Sequence, residues 1–94
     1  MSLITNPSHP GEVLAELYLT PLDMSAITLA AKLGVPRTRI ERLVKGQTTI
    51  TVDTAMRLAR FFSTTPEYWM NLQRACDLAR ARETIDVSGI KPLQ

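Results

Sequence analysis

Thr38, Arg42 and Lys45, flanked by Arg37 and Arg39, lie on one side of a short segment whose other side carries Ile40, Leu43 and Val44. At about 100° per residue, that spacing is a helix with one face to bury and one to expose. The exposed face holds the groups needed to read base edges. A guanidinium bonds guanine O6 and N7 together, and a threonine meets a thymine methyl or a polar edge. Side chains in the first turn of such a helix, and one turn further on, reach into a major groove. Arg37, Thr38 and Arg42 are therefore the candidates for base contact. Arg39 is turned to the side and is assigned to phosphate. Lys45, with Gln47, Thr48 and Thr49 just beyond the helix, joins it there through side chains and backbone N–H groups. Glu41 is read as an ion-pair partner of Arg37 or Lys45, four residues away on either side. Acceptance from cytosine N4 is the alternative.

A helix of this kind needs a second helix to hold it. Ile27, Leu29, Ala30 and Leu33 supply an apolar stripe from about Ser25 or Ala26 to Leu33, and Gly34 ends it in a left-handed turn. Ala30 is small enough to let the two helices approach. The base-reading helix then runs from Pro36 to about Lys45, where Gly46 stops it. Residues 26–45 thus read as a helix-turn-helix.

Three more helices flank it. One starts at His9-Pro10-Gly11, carries Glu12 in its first turn, has Leu14, Leu17 and Tyr18 at helical spacing, and ends at Pro21. Another follows Thr51 as N-cap, with a core stripe of Ala55, Leu58, Ala59 and Phe62. The last starts at Thr64 or Thr65 before Pro66 and runs to about Arg82 or Glu83. Thr64 with Glu67 would form a capping box; Thr65 before proline is the rival cap. Trp69, Leu72, Cys76 and Ala79 lie along one side of that helix, and Val87–Leu93 reads as an extended tail. The expected fold is all-α: a single domain over residues 1–94, with the last helix and tail occupying about 66–94.

Charge follows the same division. Residues 1–31 contain Glu12, Glu16 and Asp23 and no Lys or Arg. Residues 32–60 contain Lys32, Arg37, Arg39, Arg42, Lys45, Arg57 and Arg60 against Glu41 and Asp53. The remainder is balanced. A net charge of only +2 therefore conceals a basic excess at the helix-turn-helix, as phosphate binding requires.

Other chemistry finds little support. One histidine and one cysteine cannot make a paired metal or Cys/His signature, and the four glycines form no phosphate loop. His9 reads as a helix-start residue and Cys76 as a small core residue. No enzyme activity and no cofactor are expected. With 45% apolar and 21% charged residues, no apolar run near the ~20 needed to cross a membrane, no leader pattern and a lone cysteine, a soluble cytoplasmic setting is expected.

Three stretches extend the reading. His9-Pro10-Gly11-Glu12-Val13-Leu14, Leu33-Gly34-Val35-Pro36-Arg37 and Thr64-Thr65-Pro66-Glu67-Tyr68-Trp69-Met70-Asn71-Leu72-Gln73 resemble the HigA antitoxins. These are small Xre-type, lambda-repressor-like proteins of bacterial toxin–antitoxin modules. The likeness covers about residues 9–83. It implies a five-helix repressor-like fold and a homodimer on a palindromic operator of double-stranded DNA in the module's own promoter. It also implies a HigB-type toxin as partner, a RelE-like ribonuclease that cuts mRNA on the ribosome. Such toxins are usually basic and the acidic surplus lies in the first 31 residues, so Glu12, Glu16 and Asp23 are nominated for toxin contact, against the plainer reading that Glu12 only supports the first helix and the other two are solvated. A repressor-like monomer covers one half-site, so a second copy is needed. Met70, Ile85, Val87 and Ile90 are its candidate interface, with Trp69 assigned to the core. Two other functions fit the same residues: a stand-alone Xre-type regulator without a toxin, and an interaction module that has lost DNA binding. The basic face of the base-reading helix argues against the second.

Overall fold

The computed structural model describes residues 8–94; the reading of the N-terminus as free of a leader concerns residues partly outside these. The described residues form five helical elements and match the all-α expectation. They are α1 (Pro10–Val13), which continues as a π-helical segment (Leu14–Leu19), then α2 (Ala26–Leu33), α3 (Arg37–Val44), α4 (Val52–Phe62) and α5 (Pro66–Thr84). No helix among the described residues is long and apolar enough to cross a membrane.

Most boundaries follow from local chemistry. Ser25, Thr51 and Thr65 each accept a hydrogen bond from the backbone N–H three residues on, which supplies a partner the first turn lacks. At α5 the structure selects Thr65 as the cap. Thr64 is used differently: its Oγ1 accepts from Trp69 Nε1 at 2.8 Å. His9 caps α1, its Nδ1 accepting from the Gly11 N–H at 2.9 Å. Both helices of the helix-turn-helix end alike. Gly34 and Gly46 sit at φ 72°, and the N–H groups of Val35 and Gln47 return to the carbonyls of Ala30 and Arg42. These closures satisfy carbonyls that would otherwise be orphaned at the helix ends.

The core is built from Leu14, Leu29, Ile40, Leu43, Leu58 and Trp69, all fully buried. Around Trp69 an aromatic cluster joins three elements. Tyr18 lies 4.7 Å from Phe62 and 5.2 Å from Trp69 between ring centroids, and Tyr68 meets Trp69 edge-on at 5.0 Å. Burial, with a hydrogen bond to Tyr68, pushes the Tyr18 hydroxyl up to about 12. The assignments of Trp69 and Cys76 to the core hold.

Three expectations are corrected. Helical spacing groups Leu17 with Leu14 and Tyr18, but Leu17 is 64% exposed. The backbone widens into π-helical spacing, with the Thr20 N–H bonded to the Ala15 carbonyl five residues back. Buried positions therefore recur as Leu14 and Leu19, and Leu17 turns outward. Pro21 supplies a reason, because in an α-helix its ring would press on the carbonyl of Leu17. Ile27 is 50% exposed, since α2 buries only Leu29, Ala30 and Leu33. The tail is not simply extended. The Asp86 side chain accepts from the Ser88 N–H and the Val87 carbonyl from the Ile90 N–H, which makes a turn.

Candidate nucleic-acid interface

Helix α3 is gripped at its C-terminal end by the start of α1. A Cβ on Gly11 would lie 1.7 Å from the carbonyl oxygen of Leu43, so only glycine permits this approach. The imidazole of His9 lies against Gly46, within 3.9 Å of where a Cβ would be. The His-Pro-Gly sequence thus caps its own helix and seats that helix on the end of α3.

The other end of α3 is held by charge. Asp53, in the first turn of α4, accepts from Arg39 Nη1 at 2.5 Å and from Arg57 Nε at 3.0 Å. Arg57 also donates through Nη1 to the Leu33 carbonyl at 2.8 Å. One carboxylate therefore links α3, α4 and the end of α2. The guanidinium of Arg57, then that of Arg39, holds the Asp53 carboxyl below the usual carboxylate range.

Between these two anchors α3 turns its polar face out. Arg37, Thr38, Arg39, Arg42 and Lys45 are all exposed, and Ile40 and Leu43 are buried. No side chain caps the start of α3. Thr38, Arg39 and Arg42 line a shallow groove of about 370 Å³ together with Pro36, Thr48, Thr49, Thr51 and Thr54. The structure thus brings Thr38 and Arg42 from the base-contact set beside Arg39, Thr48 and Thr49 from the phosphate set. Arg37, Lys45 and Gln47 are exposed outside this groove. Glu41 departs from expectation. It is half-buried, and neither Arg37 nor Lys45 pairs with it; the ion pairs among the described residues converge on Asp53 instead. Arg39 finds its carboxylate on α4, fourteen residues away, rather than on its own helix.

Two residues were missed from the sequence. Asp53 was counted only as a charge. Gln73 lies on α5, is buried, and its Oε1 accepts from the Ile50 N–H at 2.8 Å while its Nε2 donates to Asp77 at 2.9 Å. It fixes the end of the Gln47–Thr49 loop from beneath. A buried polar residue on an otherwise apolar side is the signal that could have found it.

The remaining candidates lie away from the groove. Glu12, Glu16 and Asp23 are exposed, and none forms an ion pair among the described residues. Asp23 sits at φ 52°, a left-handed turn position that aspartate tolerates. Ile85, Val87 and Ile90 are exposed beyond α5. Met70 is half-buried and packs on the core, so it offers less surface than they do.

Residues 14–69 match the helix-turn-helix family model. Virulence-associated protein I of Dichelobacter nodosus is 47% identical over 80% of this chain and 69% of its own length. An addiction module antidote protein of a HigA family from Coxiella burnetii superposes with a TM-score of 0.79 at 49% identity, covering 83% of this chain and 85% of that one. Pseudomonas aeruginosa antitoxin HigA, solved with the higBA promoter, superposes with a TM-score of 0.85 at 36% identity, covering 95% and 100%.

Proposed function

This chain belongs to the HigA family of Xre-type helix-turn-helix antitoxins, and on that premise we propose that it binds operator DNA through α3 and represses its own operon. The observation that carries this reading is the groove where Thr38, Arg39 and Arg42 of α3 meet Thr48 and Thr49 of the following loop. Base-reading and phosphate-gripping groups must lie side by side for one helix to be seated in register. Arg37, Thr38 and Arg42 read base edges. Lys45, Gln47, Thr48 and Thr49 hold phosphates, and so does Arg39 through the N–H groups that Asp53 leaves free.

A homodimer places two copies of α3 about one DNA turn apart on a palindromic site. Ile85, Val87 and Ile90 provide the exposed apolar surface for it, with Met70 at its inner margin. The toxin partner is a HigB-type ribonuclease. The carboxylates of Glu12, Glu16 and Asp23, exposed and free of ion pairs among the described residues, suit a basic protein surface.

Fluorescence anisotropy tests the DNA reading: a duplex from directly upstream of the coding sequence against a scrambled duplex, at several salt concentrations. Selective binding that is lost in an Arg37→Ala/Arg42→Ala double variant is expected. Weak binding without preference would overturn it in favour of an interaction module. For the toxin, a Glu12→Lys/Glu16→Lys/Asp23→Asn variant should lose toxin affinity and keep its DNA affinity. Asparagine is chosen at 23 because it tolerates the positive φ there. Unchanged toxin affinity would remove these residues from the toxin site.

A further inference from the structure

The DNA-binding reading leaves Asp53 without a role, yet its carboxylate lies on the basic face. Near phosphates an acid is a liability, since like charges repel. Its place in the first turn of α4 accounts for some stabilisation through the helix dipole. That accounts for an acid, but not for its partner Arg39, fourteen residues away on another helix. Nor does stability account for the pair, because Asp53, Arg39 and Arg57 are each about half exposed and such ion pairs stabilise little. What the pair does change is where a guanidinium goes. An untethered arginine samples many rotamers and will grip any phosphate within reach. Arg39 instead has Nη1 engaged by Asp53, which is itself held by Arg57, which is bonded in turn to the carbonyl that ends α2. The groove of Thr38, Arg42, Thr48 and Thr49 lies on the same side.

Resting on the DNA-binding reading, we propose that Asp53 is a specificity-determining positioning residue. By tethering Arg39 across the α3–α4 seam it withholds that guanidinium from indiscriminate phosphate contact and aims its remaining N–H groups into the groove beside Thr38 and Arg42. The acid lowers affinity for DNA in general and raises the ratio of operator to non-operator binding.

The test measures anisotropy with upstream and scrambled duplexes, over a salt series, for the wild-type chain, Asp53→Asn, Arg39→Ala and the double variant. Thermal melts accompany each to show that the fold is kept. Asp53→Asn should bind scrambled DNA about two- to fivefold more tightly, and the operator ratio should fall by a similar factor. Its salt slope on scrambled DNA should steepen by about one phosphate contact. With Arg39 already removed, Asp53→Asn should leave the ratio unchanged, since the effect passes through Arg39. An unchanged ratio in Asp53→Asn, or an equal fall in the absence of Arg39, would overturn the inference. A wild-type chain without operator preference would overturn the DNA-binding reading itself, and that outcome is visible before any variant is compared.

Discussion

The two ends of α3 are held by different physics. At the C-terminal end, Gly11 brings backbone against the Leu43 carbonyl, a contact of shape that salt and pH leave alone. At the N-terminal end, Arg39, Asp53 and Arg57 form an exposed ion-pair network that salt weakens and a competing anion can enter. The contrast teaches how one helix can be fixed in place and still adjust. The end nearest the fold's first helix is set by a close backbone contact. The end that begins the proposed DNA-reading surface is held by charges of the kind that phosphates also engage.

Gly11→Ala should break the backbone-contact end outright. Its Cβ would meet backbone atoms of α3 that cannot swing aside, so a loss of about 3 kcal/mol or more is expected in urea unfolding. A variant that melts within a degree or two of wild type would show that the contact is not tight. Gln73→Leu sharpens the comparison next. It leaves the buried Ile50 N–H without a partner, and about 1–3 kcal/mol should be lost. Amide exchange at Ile50 should rise more than at Leu43, which locates the damage in the loop after α3.

Effects at the charged end should be smaller. Arg57→Ala removes both the ion pair to Asp53 and the bond to the Leu33 carbonyl, and about 1 kcal/mol is expected. In 1 M salt part of this difference should vanish, whereas the Gly11→Ala effect should not change. The smallest effect is that of pH. Because the folded-state carboxyl of Asp53 is held below its ordinary range, its contribution is complete above about pH 4 and is lost as pH falls through the lowered value. Melts at pH 6 and pH 3 should therefore show a slightly greater drop for wild type than for Asp53→Asn. An equal drop in both would mean that the network contributes nothing in solution.

The sequence was readable wherever a feature depends on neighbours along the chain. Ser25, Thr51 and Thr65 bond to N–H groups three residues away, and Gly34 and Gly46 act within their own turns, so caps and stops are visible as residue types at fixed offsets. The division of α3 into a buried side with Ile40 and Leu43 and an exposed basic side follows from the 3.6-residue period. The same period failed at Leu17, because the π-helical spacing set up before Pro21 replaced it.

Beyond such local reach, only the packed chain decided. Arg39 and Asp53 are fourteen residues apart, Ile50 and Gln73 twenty-three, and Arg57 and Leu33 twenty-four. No periodicity links such pairs, and several nearby groups could have served as partners. Glu41 shows this directly: helical spacing offered it Arg37 and Lys45, and the fold gave the surface ion pairs to Asp53. The sequence by itself determined which helices form, where they stop and which face of α3 is polar, since these depend on local sterics and hydrogen bonding. The docking of α1 on α3 through Gly11, the support of the Gln47–Thr49 loop by Gln73, and the tether on Arg39 were set by tertiary structure. Each needs two distant segments brought within a few ångströms, and only burial of the shared core does that.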